Sequence, residues 1–136
     1  MLTPSRPPLP GVWPAAELDG AVRAVRRSGH AALDAQLPGG GWPLGALTEV
    51  LQAQPGLHEW RLLLPAVRDA AREGTVLLLG VPHLPGLAAL AAQDLPPGTL
   101  LRVEADRPAD RLWAAEQALR CEAVTVLLAW LPQARP

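Results

Sequence analysis

Histidine and cysteine, the side chains most typical of zinc sites, are few in this chain of 136 residues. They are His30, His58, His83 and a single cysteine, Cys121. The histidines lie far apart in sequence and show none of the short spacings that are typical of zinc sites. We therefore predict no metal site and no catalytic residue. Cys121, in a segment rich in Ala and Leu, is predicted to be a small core residue.

The composition also bears on whether the chain binds phosphate groups. A phosphate-binding loop of the form G-x-x-x-x-G-K-[ST] uses its lysine to reach the phosphates. This chain has no lysine, because all 12 of its basic residues are arginine. Its net charge of −1 does not indicate nucleic-acid binding by bulk electrostatics. We predict no nucleotide or other cofactor.

The N-terminal region offers a candidate partner-binding surface. After a proline-rich start, Pro14 is a favourable first-turn residue for a helix that Gly29 can end. Three apolar residues at i, i+4 and i+7 form one stripe of that helix, and three arginines lie largely off it near its C-terminal end. The candidate residues are Leu18, Val22, Val25, Arg23, Arg26 and Arg27. The alternative for the arginines is a solvated helix face.

The elements that would position these residues alternate along the rest of the chain. Apolar segments predict strands at residues 46–51, 75–80, 100–103 and 124–130, and helical patterns fill residues 57–72, 84–93 and 108–121. The strands at 75–80 and 124–130 are apolar on both faces, which is typical of parallel strands covered by helices. We predict an α/β fold with a parallel sheet of about four strands and helices on both faces.

The same patterns predict how the chain is divided into regions and where in the cell it is found. Residues 1–28 are predicted to form a proline-rich arm and a helix that could dock on a partner, and residues 29–136 a truncated α/β core. No uncharged apolar stretch approaches the ~20 residues that a membrane-spanning helix needs. A single cysteine excludes an internal disulfide bond and favours a reducing compartment. We therefore expect a cytoplasmic protein with no membrane partner.

Residues 28–51, SGHAALDAQLPGGGWPLGALTEVL, resemble the segment that leads into the ATP site of RecA-family proteins. The matching features are Ser28-Gly29, Leu33-Asp34, Gly40-Gly41, Pro43-Leu44-Gly45 and Glu49-Val50. The version LPGGGWPLGALTEVL is similar to the ImuA family, a group that also takes in SulA-like cell-division inhibitors. Weaker matches follow at residues 61–65, 112–119 and 124–132. The resemblance implies a partial RecA-like core preceded by an N-terminal helix.

The resemblance also identifies where an ATP site would lie. Counting from the predicted strand at 46–51, Gln52 and Leu57 stand at the two loop glycines, His58 at the lysine and Glu59 at the Ser/Thr. Shifting the alignment by one residue does not place a lysine there either, because the chain has none. Glu59 adds a negative charge where a triphosphate would sit, and His58 could contact an anion at the helix start but is more simply a surface residue.

Two further ATPase positions are lost by the same comparison. The glutamate that activates water in RecA falls at or near Pro82, and the aspartate that holds Mg²⁺ falls at or near Trp130. Three separate losses predict a chain that does not hydrolyse ATP. Trp60, Trp113 and Trp130 are predicted to pack in the core.

The family implies a function that depends on contacts. ImuA proteins are accessory to damage-induced (SOS) mutagenesis, working with RecA, the Y-family-like protein ImuB and an error-prone polymerase in translesion DNA synthesis. In RecA filaments the N-terminal helix docks on a neighbouring subunit, which also suggests self-association. The resemblance places the DNA-contacting loops beyond Pro136, so DNA contact is left open. Two alternatives stay open: a SulA-like inhibitor that acts on FtsZ, and a residual ATP-binding protein.

Overall fold

A three-stranded parallel sheet forms the centre of the protein. The structure, a computed structural model, describes residues 24–56, 58–83 and 86–131. The strands are β3 (Thr75–Leu79), β4 (Leu100–Val103) and β5 (Val124–Ala129), in the order β4-β3-β5. The middle strand is almost wholly apolar and buried, because helices cover both of its faces.

Three helices form the two outer layers: α2 (Glu59–Ala70), α3 (Leu87–Ala92) and α4 (Pro108–Leu119). Alternation along β3 sends Val76 and Leu78 to one face, where they pack with residues of α2 and α3. Leu77 and Leu79 point to the other face and pack against Ala118 of α4. The core is therefore divided by the sheet into two apolar clusters.

A smaller unit packs on the outside of α2. It contains β1 (Val25–Arg26), the short helix α1 (Ala31–Asp34), a 3-10 turn (Pro38–Gly40) and β2 (Trp42–Pro43). The strands β1 and β2 pair antiparallel. Arg26 donates from its guanidinium to the carboxylates of Asp69 on α2 and of Glu73 in the turn after it, and only 13% of its side chain is exposed.

Two further contacts hold this unit to the middle of α2. Gly29 has a positive φ of +83°, and a Cβ there would overlap the ring of Pro65, so the backbone approaches α2 as only glycine allows. His30 places its Nε2 3.2 Å from the carbonyl oxygen of Leu62. The chain from Arg26 to His30 therefore runs along α2 toward that helix's N-terminal end.

The predicted α/β class, with a parallel sheet and helices on both faces, is confirmed, and four of the predicted elements have nearly the predicted bounds. Two predictions differ. Residues 46–51 form neither strand nor helix, and Leu47 and Leu51 are 94% and 84% exposed, because no neighbouring strand pairs with them. Val25 and Arg26 lie in a strand rather than in a helix, because pairing with β2 and the ion pairs of Arg26 with Asp69 and Glu73 fix them in extended form.

Two predictions of core packing were wrong. Trp113 lies on the outer face of α4 and is 64% exposed. Cys121 follows the end of α4 and is exposed as well. Both errors come from a helix that packs through Ala114, Ala115 and Ala118, whose small side chains leave its larger neighbours outside. No helix in the described part of the chain has the length and apolar character needed to cross a membrane.

Candidate functional site

The turn before α2 holds a buried carboxylate, that of Glu59, the first residue of the helix. Its Oε1 accepts hydrogen bonds from the backbone N–H of Gly56 and from the indole Nε1–H of Trp130, the latter at 2.8 Å. Its Oε2 accepts from the N–H of His58 at 3.1 Å. Glu59 is only 4% exposed. An anionic group therefore occupies the N-terminal end of α2, where the backbone donors of a helix favour negative charge.

The backbone of this turn is pressed against the end of β3. Gly56 has a positive φ of +93°, and a Cβ there would lie 2.8 Å from Cδ2 of His83 and 3.3 Å from Cγ of Pro82. Glycine is required here for two reasons. Any other residue would be strained at this φ, and its Cβ would clash with Pro82 and His83. The turn consequently sits over the carboxyl end of the sheet, the edge at which open α/β sheets place their ligand sites.

Trp130 connects the same turn to β5. Its backbone N–H continues the sheet by donating to Leu79 at 3.0 Å, and its indole donates to Glu59. Its ring lies 6.0 Å from that of Trp60, tilted by 31°. The Nε1 of Trp60 is buried with no hydrogen-bond partner among the described residues. Trp60 therefore contributes only packing to this turn, while Trp130 contributes packing and a hydrogen bond to Glu59.

The carboxyl of Glu59 is held in its ionised form. Burial alone raises its pKa, but the hydrogen bond from Trp130, those of the backbone turn and one from Gln52 together outweigh burial, so the pKa lies below the usual glutamate value. The ion pairs of the described residues do not include Glu59. Its charge is therefore balanced by N–H dipoles, as a bound anion's would be.

Arg111, which the sequence patterns did not single out, lies at the same end of the sheet. Its Nε–H donates to the carbonyl of Ala105 at 2.6 Å and its Nη1 to that of Trp130 at 3.4 Å. A Cβ on Gly80 would lie 3.3 Å from its guanidinium, so the group rests on the backbone after β3. No motif marks this arginine, because its partners are backbone carbonyls that only the folded chain brings together.

The structure brings together most of the positions at which the sequence resemblance predicted the remains of an ATP site. Gln52, Glu59, Pro82 and Trp130 surround one turn, and His58 is exposed at its rim. Leu57 lies outside the described residues. What the sequence patterns missed is that Glu59 turns inward, where its carboxylate takes up the donors of the turn.

The candidate partner-binding residues divide into three groups. Leu18, Val22 and Arg23 lie outside the described residues. Val25 and Arg26 are half-buried, and the guanidinium of Arg26 is bound to two acids, one in α2 and one in the turn after it. Arg27 remains 81% exposed, with the carboxylate of Asp34 4.0 Å away.

The pKa of Asp34 lies below its ordinary value, because its carboxylate is hydrogen-bonded by Ser28, whose backbone N–H donates to it at 2.9 Å. This bond ties the loop after β1 to α1. Across residues 24–56, 58–83 and 86–131, no group of three or more His, Cys, Asp or Glu is placed to hold a metal ion. In comparisons with protein-family models, curated proteins and solved structures, nothing matched this chain.

Proposed function

We propose that this chain is a non-catalytic, RecA-like accessory protein of SOS-induced translesion DNA synthesis that acts through protein–protein contacts with RecA, ImuB and an error-prone polymerase. The motif LPGGGWPLGALTEVL and its similarity to the ImuA family support the biological setting. The three-layer arrangement with its parallel sheet is compatible with a RecA-like core.

The observation that carries the non-catalytic part is the buried carboxylate of Glu59. In the turn that the resemblance aligns with the phosphate loop, the N–H groups of Gly56 and His58 already donate to this side chain. A phosphate placed there would stand against a like charge, at a cost of about 4 kcal/mol per pair of unit charges at contact distance and intermediate dielectric. The chain has no lysine to offset that repulsion.

Calorimetric titration with Mg-ATP tests this part of the proposal. We expect no measurable binding and no phosphate release by the wild-type chain. Micromolar affinity, or a turnover that disappears in H58A, would refute it. The variant E59A separates the two causes: if ATP binds to E59A but not to the wild type, the carboxylate is the obstacle, and if neither binds, the missing lysine suffices.

A pull-down with purified RecA, ImuB and FtsZ tests the choice of partners. We expect capture of RecA or ImuB, whereas capture of FtsZ alone would favour the SulA-like alternative. Within the candidate surface, R27E is the informative change, since Arg27 is exposed and Arg26 is tied to α2. The matched control is R72E, because Arg72 is 72% exposed and lies just after the C-terminal end of α2. Equal loss of binding in both variants would speak against a role for Arg27.

A further inference from the structure

Residues 46–51 have the sequence pattern of a strand, yet they pair with no strand among the described residues. Leu47 and Leu51 are 94% and 84% exposed, so two large apolar side chains face water. The segment, ALTEVL, contains a single charged residue, Glu49. A short, mostly apolar segment of this kind is stabilised when it joins the edge of an existing sheet.

The two ends of the connection around this segment are fixed at opposite ends of α2. It leaves the small unit at Leu44, whose N–H donates to the carbonyl of the residue before β1. Arg26 of β1 is bonded to Asp69, near the C-terminal end of α2. The connection then reaches Gly56, in the turn before the N-terminal end of α2. It therefore has to travel the whole length of that helix.

The helix α2 lies along β5 and runs antiparallel to it. Its first residue, Glu59, accepts from the indole of Trp130, the residue after β5. Its last residue, Ala70, accepts at 3.0 Å from the hydroxyl of Thr125, near the start of β5. A connection that travels from the C-terminal to the N-terminal end of α2 consequently runs in the same direction as the three strands. A strand formed by residues 46–51 would be parallel to them.

The position of α2 indicates which edge such a strand would join. A helix that connects two parallel strands packs back onto the sheet between them. The helix α2 leads into β3 but lies along β5, which is its expected place if the strand before it is on the far side of β5. The edge beyond β4 lies on the opposite side of β3 from α2.

The handedness of the connections selects the same edge. The helices α2 and α3 pack on one face of the sheet, in one apolar cluster, and α3 leads from β3 outward to β4. A strand beyond β5 would reach β3 through α2 in the same direction across the same face, so both connections would have the same hand. A strand beyond β4 would give the opposite hand, which is rare for parallel strands.

The β5 edge is suited to receive this strand. Its sequence, VTVLLA, has no charge and is six residues long, as is the segment 46–51. Trp130 donates its N–H inward, to Leu79 on β3. Because backbone N–H groups alternate in direction along a strand, those of Leu127 and Ala129 face the outer side, where β5 pairs with no other described strand.

We propose that residues 46–51 form a strap that closes onto the outer edge of β5 as a fourth parallel strand, the conformation described above being the open one. Closing gives the edge N–H and C=O groups partners and covers Leu47 and Leu51. The strap is held at Leu44 and at Gly56 in the open state already, so its ends need not be brought together, and closing costs little additional chain entropy.

Amide hydrogen exchange of the full chain, measured residue by residue by NMR, tests this proposal. We expect the Leu127 and Ala129 amides to exchange at least about tenfold more slowly in the wild type than in T48P/E49P. Adjacent N–H groups face opposite ways, so one of the two prolines removes a donor to β5 in either register. In the open state neither amide donates to a described backbone carbonyl, so the prolines leave its backbone hydrogen bonds intact.

The matched control is T48A/E49A, which changes the same two positions but keeps both N–H groups. We expect it to retain the wild-type protection at Leu127 and Ala129. The Trp130 amide faces β3 and should exchange at the same rate in all three proteins, which verifies that the sheet is folded. L47R is a second test variant: it places a charge at a position that is 94% exposed in the open state, so it should disfavour only closing and should also speed exchange at the edge.

Three results would overturn the proposal. Fast exchange of Leu127 and Ala129 in the wild type would mean that the edge is not covered. Slow exchange that persists in T48P/E49P and L47R would mean that other residues of the chain cover it. Protection that increases with protein concentration would assign the edge to a second copy instead of the strap.

Discussion

The indole N–H of Trp130 donates to the carboxylate of Glu59 across 71 positions of the chain, at 2.8 Å. This bond joins the residue after the last strand to the first residue of α2. The RecA resemblance predicts a metal-binding aspartate near Trp130 and a hydroxyl at Glu59. In this chain the indole of Trp130 and the carboxylate of Glu59 bond to each other and hold the turn.

Removing this donor should destabilise the fold. In W130F the Oε1 atom of Glu59 keeps the Gly56 N–H but loses the indole, and a hydrogen bond to a charged acceptor contributes about 1.5–3 kcal/mol. We expect the free energy of unfolding to fall by about 2 kcal/mol, measured by urea denaturation. The control W113F changes a tryptophan that is 64% exposed and should alter it by less than about 0.5 kcal/mol. Equal effects of the two substitutions would contradict the role of the bond.

The low pKa of Glu59 makes part of the stability depend on pH. A carboxyl whose folded-state pKa is depressed contributes its full stability above the unfolded value of about 4.3, and this contribution is lost as pH falls through the folded pKa. We therefore expect unfolding free energy to decline below about pH 4. The pKa of Asp34 is also lowered, so its contribution to the free energy of unfolding is lost in the same acidic range.

The variant E59Q isolates the contribution of Glu59, because Asp34 is unchanged in it. The difference in unfolding free energy between wild type and E59Q should be largest near neutral pH and should shrink as acid protonates Glu59. A difference that stays constant down to acidic pH would show that the charge of Glu59 is not involved.

Arg26 should contribute to attaching the small N-terminal unit to α2. Its guanidinium reaches two acids, Asp69 and Glu73, which are 53% and 60% exposed, so solvent screens the pairs in part. We expect R26A to reduce stability by about 1–2 kcal/mol and to speed amide exchange in residues 24–30. The control R72A removes only a 3.9 Å contact with Asp69 and should change stability by less than about 0.5 kcal/mol. Unchanged exchange in R26A would argue against attachment through this side chain.

Substitutions at Gly29 and Gly45 can be compared to measure how much the close approach of the backbone to α2 restricts a side chain. Both have positive φ, +83° and +63°, but a Cβ at Gly29 would come within 2.8 Å of Pro65 Cγ, whereas none of the described atoms lies within 4 Å at Gly45. We expect G45A to cost about 1 kcal/mol of backbone strain and G29A about 3 kcal/mol, since the overlap adds to the strain. Thermal unfolding of both variants measures the difference. Similar melting temperatures would mean that the segment can move away from α2.

The central elements could be predicted from sequence because their signals are local. Residues 75–79 and 100–103 are short, mostly apolar segments between turn residues, and α4 begins at a proline, so their bounds follow from nearby side chains. The position of the candidate site was predictable as well, since it is a turn between elements. The inward direction of Glu59 was not, because its partner Trp130 is distant in sequence.

The other differences depend on neighbours that no local pattern contains. Residues 46–51 have the alternation of a strand, but a strand needs a partner, and none lies beside them among the described residues. Val25 and Arg26 fit a helical pattern in sequence, yet pairing with β2 and the acids Asp69 and Glu73 keeps them extended. In both cases, tertiary contacts override the secondary-structure propensity of the local sequence.

Residues 46–56, which join the small unit to α2, have neither helix nor strand and are mostly exposed, so this connection should be the preferred site of limited proteolysis. A cut there would separate residues 24–45 from the sheet in sequence but not in space. The contacts of Arg26, Gly29 and His30 with α2 would remain. The nicked protein should therefore migrate as one species under native conditions and as two fragments in denaturant, with the larger fragment retaining the sheet.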